Sequence, residues 1–526
     1  MMPKSAWPWL GGYALATFLA FPHPIAGIVV DLGAGVCWLA PACLWLGLRG
    51  ASPRQAAKRA FLASLVGYAA ILHWIWVVTV VYGHANPWLG MLGPVGIGVY
   101  IACFVSAFAA IAAAGKLESP WLLAALWTAL EYLRSIAFGG FPWATLGYAQ
   151  HLNPALLGLA PWTAVYGLSF VTFLGGVAFA QATSQWRSTG RVRGATRWAL
   201  AGVAGAHLLG SASAALTPAD PARTVRVAVL QGNIDQGVKW SPDRFERTLG
   251  IYEELTREAS AAGAQLVLWP ETAVPGAIGS DPGAARRLEA LAKETGALLV
   301  IGAVGLAPGP DGRRSVFDSA FAIDSRAGLV GRYDKSHLVP FGEYVPLAEL
   351  LGRFFEAVAR GVANTAVTPG SGPRALALTA GGAPLTAGVP ICYELLFPDL
   401  VRRFVNDGAE LLLAITNDAW YGRTGAPYQF LAMTALRSAE TRVWTARAAN
   451  TGVSAIIDAR GRVRQRTQIF ERDWLQADVP IRSAPAGGTF YTRYGDVFAW
   501  SCWAMSAWGL WRARRRHRSG EETRNE

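Results

Sequence analysis

Long apolar segments fill the first 216 residues and recur once near the carboxyl end. Most of them reach the roughly 20 residues that a helix needs to cross the hydrocarbon core of a bilayer. The pattern therefore predicts seven membrane spans in residues 1–216, a large polar region at 217–493, and an eighth span with a basic tail at 494–526. The predicted spans cover residues 7–21, 24–48, 60–82, 88–114, 121–138, 157–182, 198–216 and 497–511.

The polar region has a different pattern, in which short apolar runs alternate with amphipathic segments. Strands are predicted at 225–230, 265–269, 297–304, 315–323, 384–391 and 411–416. Helices are predicted at 241–262, 284–295 and 427–449, and a hairpin at 453–468. Strands that alternate with helices indicate a layered α/β domain. The strands that are apolar on both faces should lie buried within a sheet.

Composition and charge agree with a membrane protein. The chain is 52% hydrophobic, has a mean hydropathy of +0.28 and contains 22 Trp. The net charge of +12 might suggest a nucleic-acid partner, but residues 217–488 hold 29 Lys+Arg against 28 Asp+Glu. The excess of Lys and Arg lies in short loops and tails beside the apolar segments. Basic residues in such loops indicate which side of the membrane the loops occupy. We therefore expect a membrane-integral protein and no nucleic-acid partner.

The basic residues also predict an orientation. Lys and Arg follow the second, fourth, sixth and eighth predicted spans, whereas the loops around His23, His84 and 139–156 contain none. The positive-inside rule then places both termini in the cytoplasm and residues 217–493 outside. The first apolar run could instead be a signal peptide, but no small-residue cleavage site precedes Pro22 and a second span follows at once.

Two features of the predicted membrane region stand out. Glu131 and Arg134 lie three residues apart, on one face of a predicted helix. They form either a buried structural pair or a contact to lipid headgroups. The segment 139–143 (Gly-Gly-Phe-Pro-Trp) predicts a structured loop on the outer side with an aromatic anchor.

The polar region contains one cysteine, Cys392, at the end of the predicted strand 384–391. Stable thiols in an oxidising compartment are normally paired. A solitary one is a nucleophile, a buried structural residue or an intermolecular partner, and the pattern leaves all three open. A nucleophilic thiol needs a base and a group that stabilises the oxyanion. Glu271 follows a predicted strand and Lys335 precedes a Pro/Gly-rich loop, although each alone is more simply an ordinary surface residue.

Together these three positions resemble the Glu–Lys–Cys triad of the nitrilase superfamily. Its motifs match Trp269-Pro270-Glu271, Tyr333-Asp334-Lys335-Ser336-His337 and Ile391-Cys392-Tyr393-Glu394. The resemblance covers about 225–480 and implies an αββα sandwich. It also implies roles: Glu271 is the base, Lys335 stabilises the oxyanion and Cys392 attacks. A base beside the sulfur should raise its thiolate fraction.

The whole chain resembles the apolipoprotein N-acyltransferase family. The resemblance rests on the eight predicted spans and on segments that include 229–234, 239–240, 337–346, 416–422 and 140–143. It implies a bacterial inner-membrane enzyme, acting as a monomer with its catalytic domain in the periplasm. The enzyme would move an acyl chain from a phospholipid, through a Cys392 thioester, to the amino terminus of a diacylated apolipoprotein. The further residues that it implies in supporting or substrate-binding roles are Trp240, Glu343, Tyr393, Glu394 and Trp420.

No cofactor is expected, and no metal site, because the seven His are scattered and none pairs with another His or with Cys at ligand spacing. Residues 350–355 are apolar enough to dip into the membrane surface, and the stretch from there to Pro373 could be a lid; an ordinary core helix and loop is the alternative.

Two other functions remain to be weighed. One is a tethered amidase acting on a small soluble substrate, and the other is a transporter or sensor with a non-catalytic outer domain.

Overall fold

The computed structural model describes residues 5–216, 223–235, 242–278, 282–309, 314–344, 367–481 and 488–525. From residue 5 to residue 216 the chain is mainly helical and contains one short hairpin. Its helices are α1 Trp7–Leu19, α2 Gly33–Val36, α3 Leu39–Leu48, α4 Pro53–Ile71, α5 Trp74–Trp76, α6 Pro87–Gly90, α7 Leu92–Ala114, α8 Pro120–Ile136, α9 Pro154–Leu157, α10 Ala160–Thr189 and α11 Gly194–Ala215. A π-helix at Val77–Tyr82 continues α5, and 3₁₀ turns occupy Ala137–Gly139 and Leu146–Gln150.

Two helical segments in the described residues are long and apolar enough to cross a membrane, Pro87–Ala114 and Ala160–Thr189. A third candidate is the pair Pro53–Ile71 and Trp74–Tyr82, which is bent by 56°. Helices occur at all eight predicted places, but the predicted count of eight spans stays a prediction.

The predicted span 24–48 is wrong as one continuous helix. Strands β1 His23–Ile25 and β2 Ile28–Val30 form an antiparallel hairpin at its start. Ala26 and Gly27, the two residues of its turn, have φ of 50° and 81°. Two positive φ values are typical of the tight hairpin turn that suits the twist of paired strands. The helical part begins only at Gly33.

The α/β region contains most of the remaining elements. Its strands are β3 Thr224–Gln231, β4 Leu266–Leu268, β5 Val274–Ala277, β6 Leu298–Pro308, β7 Arg314–Asp324, β8 Gly328–Asp334, β9 Leu376–Ala380, β10 Ala383–Gly388, β11 Leu411–Thr416, β12 Trp444–Ala449, β13 Ala455–Ile457, β14 Val463–Arg466 and β15 Asp473–Pro480. Its helices are α12 Pro242–Ala261, α13 Pro282–Thr295, α14 Pro398–Asn406, α15 Ala426–Thr441 and α16 Phe490–Tyr494, and α17 Val497–Asn525 follows.

These strands form two sheets that pack face to face. The seven-stranded sheet has the order β15-β3-β4-β6-β7-β8, with β5 beside β6, and the six-stranded sheet has the order β14-β13-β12-β11-β10-β9. Apolar residues from both sheets meet in one cluster, for example Val229 and Leu268 with Leu385 and Leu412. A second cluster joins α12 and α13 to the outer face of the seven-stranded sheet. With α14 and α15 on the other side, the layers are helix, sheet, sheet and helix.

The predicted helix at 427–449 is too long. Helix α15 ends at Thr441, because Arg442 adopts a left-handed conformation with φ of 59°. The next residues, Val443-Trp444-Thr445, are β-branched or aromatic, as is typical of strands. They begin β12, which pairs in parallel with β11. Strands β5, β8, β9 and β15 and helix α14 are further elements that the pattern did not predict.

The α/β region packs directly on the helical region. Gln429 of α15 accepts a hydrogen bond from Trp143 Nε1 at 2.8 Å and donates one to the Pro22 carbonyl at 3.2 Å. Trp143 is only 1% exposed. It is therefore not the aromatic anchor that we predicted for the loop 139–143. Arg134 fixes the same loop by donating to the Phe141 and Trp143 carbonyls at 2.7 and 2.8 Å. Glu131 accepts from the backbone N–H of Leu146, so both charged residues have structural contacts.

Candidate active site

The three predicted catalytic residues converge where the two sheets face each other. Glu271 follows β4 and Lys335 follows β8, both in the seven-stranded sheet. Cys392 follows β10 of the six-stranded sheet and begins a 3₁₀ turn that ends at Leu396. Gly302 of β6 allows the backbone around Glu271 to lie directly against β6, because a Cβ at Gly302 would lie 2.3 Å from the Pro270 carbonyl oxygen.

Lys335 is the centre of the site. Its side chain is fully buried, and its Nζ lies 3.2 Å from Glu271 Oε1, 3.3 Å from Asp318 Oδ2 and 2.5 Å from Glu343 Oε1. Burial alone would lower the pKa of Lys335, but the charges of Glu343, Glu271 and Asp318 outweigh it, so its pKa lies well above the ordinary value. Lys335 is therefore a fixed ammonium that hydrogen-bonds to three carboxyl groups.

Glu271 is held as a carboxylate. Burial would raise its pKa, but the Lys335 ammonium and hydrogen bonds from Asp318, Cys392 and Lys335 lower it below the ordinary value. Its other oxygen, Oε2, accepts the backbone N–H of Asn417 at 2.7 Å. Asp318 has the opposite character, because burial and the charge of Glu271 raise its pKa well above the ordinary value. A protonated Asp318 can donate its hydrogen to Glu271.

Cys392 is 8% exposed and has φ of 47°, an unusual conformation for a residue with a Cβ. Such strain is characteristic of functional turns. Glu271 and Thr416 are the side chains that interact with its thiol. Burial and the charge of Glu271 raise the pKa of the thiol well above its ordinary value. The expected rise in thiolate fraction is therefore wrong for the resting site.

Glu394 ties the Lys335 segment to the Cys392 turn. It is completely buried. Its Oε1 accepts hydrogen bonds from the Tyr333 hydroxyl at 2.7 Å, from the Ser336 backbone and hydroxyl at 2.7 and 2.8 Å, and from the His337 backbone at 3.2 Å. Its Oε2 accepts the Ile391 N–H at 2.8 Å. One carboxyl group thus sets the position of the nucleophile relative to the ammonium.

Tyr393 and Glu343 extend the site in two directions. The Tyr393 hydroxyl donates to the Gly140 carbonyl of the helical region at 3.3 Å, and its ring stacks on His337 at 5.7 Å. Glu343 contacts Lys335 through Oε1 and accepts the Val339 N–H through Oε2 at 2.8 Å. Tyr393 therefore joins the nucleophile turn to the helical region, and Glu343 holds the loop beyond Lys335.

The other predicted residues lie farther out or beyond the described residues. Trp420 is 39% exposed, and its ring meets Tyr82 of the π-helix edge-on at 5.5 Å. Its neighbour Tyr421 contacts Trp74 at 4.8 Å, so this turn lies on the bent segment Trp74–Tyr82. Trp240 and the predicted apolar segment 350–355 lie outside the described residues, as does most of the predicted lid.

The structure adds two groups that the sequence interpretation missed. Asp318 lies in β7 and is the third carboxyl group around Lys335, with those of Glu271 and Glu343. Its one signal in the sequence was that an acidic residue stands inside a largely apolar predicted strand. The backbone N–H of Asn417 holds Glu271, which no side-chain motif could reveal. The adjacent Asp418 forms a fully buried ion pair with Arg447 at 2.9 Å. That pair fixes the turn that presents Asn417.

Three carboxyl groups, from Glu271, Asp318 and Glu343, lie close enough together to suit a metal ion. Lys335 Nζ already bonds to all three. The chain thus supplies its own cation at this cluster. Chemically, the site combines a protonated thiol, a carboxylate that can accept its proton and an ammonium that can stabilise an oxyanion.

Comparisons with known proteins agree over both regions. The carbon-nitrogen hydrolase family model matches residues 226–518, and the model for the N-terminal domain of apolipoprotein N-acyltransferase matches residues 9–178. An apolipoprotein N-acyltransferase from Geobacter metallireducens is 38% identical, with 95% of this chain and 93% of that protein covered. One from Nitrosomonas europaea is 31% identical, with 92% of each covered. A solved amidase of the nitrilase superfamily from Nesterenkonia is 21% identical, with a TM-score of 0.36, covering 50% of this chain and 94% of that one.

Proposed function

Because this chain belongs to the apolipoprotein N-acyltransferase family, whose members N-acylate lipoproteins, we propose that Cys392 carries the acyl group between the two substrates. The enzyme is a membrane-bound acyltransferase of the nitrilase superfamily, with a lipid acyl donor and a lipoprotein acceptor. The observation that carries the proposal is the convergence of three side chains where the two sheets meet: Glu271 pairs with Lys335 at 3.2 Å, and Glu271 also interacts with the Cys392 thiol.

In the first half-reaction the donor is a phospholipid. Glu271 takes the thiol proton as the sulfur attacks the ester carbonyl, because the resting thiol carries a proton and the Glu271 carboxylate is ionised and can accept it. The Lys335 ammonium stabilises the oxyanion. The proton returns from Glu271 to the leaving oxygen, a lysophospholipid departs, and an acyl thioester remains on Cys392.

In the second half-reaction the acceptor is the amino terminus of a diacylated apolipoprotein. Glu271 removes a proton from the amine as it attacks the thioester carbonyl, and Lys335 again stabilises the oxyanion. The carbon–sulfur bond breaks, the amide forms, and the proton returns to the sulfur. The cycle needs no cofactor, since every proton moves between substrates, Glu271 and Cys392.

The remaining predicted residues fit roles around this core. Glu394 holds the nucleophile turn, and Glu343 holds the Lys335 ammonium. Tyr393 and Trp420 lie toward the helical region, where the acyl chains would enter. From the family resemblance we propose that Trp240 contacts substrate as part of a lid.

A membrane location follows from the lipid substrates. We propose a bacterial inner-membrane protein with eight spans, both termini in the cytoplasm and the catalytic domain in the periplasm. We further propose domain limits at 1–216, 217–493 and 494–526, and a monomer as the active form. The balanced charge of residues 217–488 gives no support to a nucleic-acid partner.

The experiment is the intact mass of the purified full-length protein after incubation with phospholipid. We expect the mass of one acyl chain to be added, and to be lost when a diacylated lipopeptide is supplied. Cys392→Ala should gain no acyl mass, whereas Cys103→Ala, which removes an exposed thiol of the helical region, should behave as the wild type. Acylation of Cys392→Ala, or amide hydrolysis without any lipid requirement, would contradict the proposal.

A further inference from the structure

The edge strand of the six-stranded sheet contains two exposed arginines. All residues of β14, Val463–Arg466, are exposed, and Arg464 and Arg466 are among them. The pairing with β13 shifts register at Arg464, so a cross-strand partner identifies the face of Arg466 alone. Charged residues often protect an edge strand from pairing with another chain, but that role does not favour either face of the sheet.

The pairing of β14 with β13 identifies the face. Arg466 lies opposite Ala455, and Ala455 packs with Leu431 and Ala435 of α15. Helix α15 is the layer that rests on the helical region, through the contacts of Gln429. Arg466 therefore points to the side of the α/β region that faces the helical region.

The surroundings agree with this position. Arg466 interacts electrostatically with Asp31, and Asp31 directly follows the hairpin strand Ile28–Val30 of the helical region. Arg466 and Arg423 both act on Tyr428, in the first turn of α15. The guanidinium of Arg423 lies 4.6 Å from the centre of the Phe470 ring. Arg423, Arg464 and Arg466 thus form an arginine face at the rim of the helical region.

The acidic residues nearby neutralise only one of the three arginines. Asp458 pairs with Arg464 at 2.6 Å, and its side chain is 4% exposed. Asp31 already pairs with His151 at 2.9 Å. Within the described part of the chain, neither Arg423 nor Arg466 has an ion-pair partner within 4.0 Å. Two guanidinium groups therefore remain available beside the helical region.

We propose that the arginine face binds the phosphate groups of anionic phospholipids in the adjacent leaflet. Guanidinium groups bind phosphate oxygens in a bidentate manner. Each Arg near an anionic bilayer surface strengthens association by about fivefold, the equivalent of about 1 kcal/mol. The face holds anionic lipid against the α/β region and stabilises that region's position on the bilayer. The proposal does not depend on the chemistry at Cys392.

The test uses full-length protein in phosphatidylcholine vesicles that contain a trace of spin-labelled phosphatidylglycerol or spin-labelled phosphatidylcholine. The immobilised component of the electron paramagnetic resonance spectrum measures the lipid bound to protein. We expect the wild type to prefer phosphatidylglycerol, and Arg423→Gln/Arg466→Gln to lose most of that preference, by up to about 25-fold for two arginines.

The matched control is Arg286→Gln/Arg326→Gln, which removes the same charge from two exposed positions. Arg286 lies on α13, in the helix layer on the other side of the two sheets, and Arg326 lies in the turn between β7 and β8. It should keep the wild-type preference. An equal preference in all three proteins, or an equal loss in both variants, would overturn the proposal. So would an unchanged lipid preference with a raised KM for the lipopeptide, which would assign the face to the acceptor chain.

Discussion

Replacing Asp318 and Glu343 in turn tests the charge distribution around Lys335. Both carboxyl groups bond to the same ammonium, at 3.3 and 2.5 Å. Burial and the charge of Glu271 raise the pKa of Asp318 well above its ordinary value, which favours its neutral form, and Asn at that position would keep a neutral acceptor and donor. Glu343→Gln instead removes the charge that contributes most to raising the pKa of Lys335, while burial continues to lower it.

The magnitudes follow from the two kinds of hydrogen bond. Asp318→Asn keeps a side chain that can hydrogen-bond to both neighbours, so we assign it the effect of one ordinary hydrogen bond, about 0.5–1.5 kcal/mol. Glu343→Gln removes a carboxylate from the ammonium, an effect of about 1.5–3 kcal/mol. If the full change appears in the barrier for acyl transfer to Cys392, Asp318→Asn slows that step about 2- to 12-fold. Glu343→Gln slows it about 12- to 150-fold, because the oxyanion then faces a less firmly protonated amine.

The measurement is the single-turnover rate of acyl gain on Cys392, followed by intact mass at neutral pH with excess phospholipid. Thermal unfolding in the same detergent provides the control that both variants remain folded. A slower rate for Asp318→Asn than for Glu343→Gln would refute the argument, because Asp318 would then have to be the charged partner of Lys335.

Two further predictions concern the interface and the thiol. Gln429→Ala leaves Trp143 Nε1 buried without its acceptor, so we expect about 1–3 kcal/mol less stability and a lower unfolding temperature in detergent; an unchanged temperature would show that the contact contributes nothing. Because the thiol pKa of Cys392 is raised above its ordinary value, its thiolate fraction grows about tenfold per pH unit throughout the neutral range. Its alkylation by iodoacetamide should therefore keep rising from pH 7 to 9, and a plateau below pH 8 would contradict a neutral resting thiol.

Strand positions were well predicted wherever a strand is apolar and buried on both faces. Residues 411–416 are one such strand, with every residue buried in the structure. Strands β8, β9 and β15 were missed because their residues are mixed in polarity and half exposed. The length of the helix at 427–449 was wrong because its apolar pattern continues across a change from helix to strand. The β-branched and aromatic run Val443-Trp444-Thr445 is the local sign of that change, and the pairing of Trp444–Ala449 with β11 establishes it.

In the site, the sequence indicated side chains but not the backbone that organises them. Glu271, Lys335 and Cys392 each follow a strand, so their positions could be predicted from the pattern together with the family motifs. The role of Asn417 depends on its N–H group, and every residue except proline has one. The neutral state of Asp318 depends on burial beside Glu271 from another strand. Long-range packing of this kind has no local pattern in the sequence.

The buried, protonated sulfur of Cys392 has a consequence for the lifetime of the enzyme. Peroxides convert thiolates, far more readily than thiols, to sulfenic acid, and further oxidation is irreversible. A nucleophile with a permanently low pKa would be exposed to that damage between turnovers. In the mechanism proposed here the proton leaves only when Glu271 accepts it during attack, so the same burial that delays ionisation would also keep an unpaired sulfur in its reduced, working form.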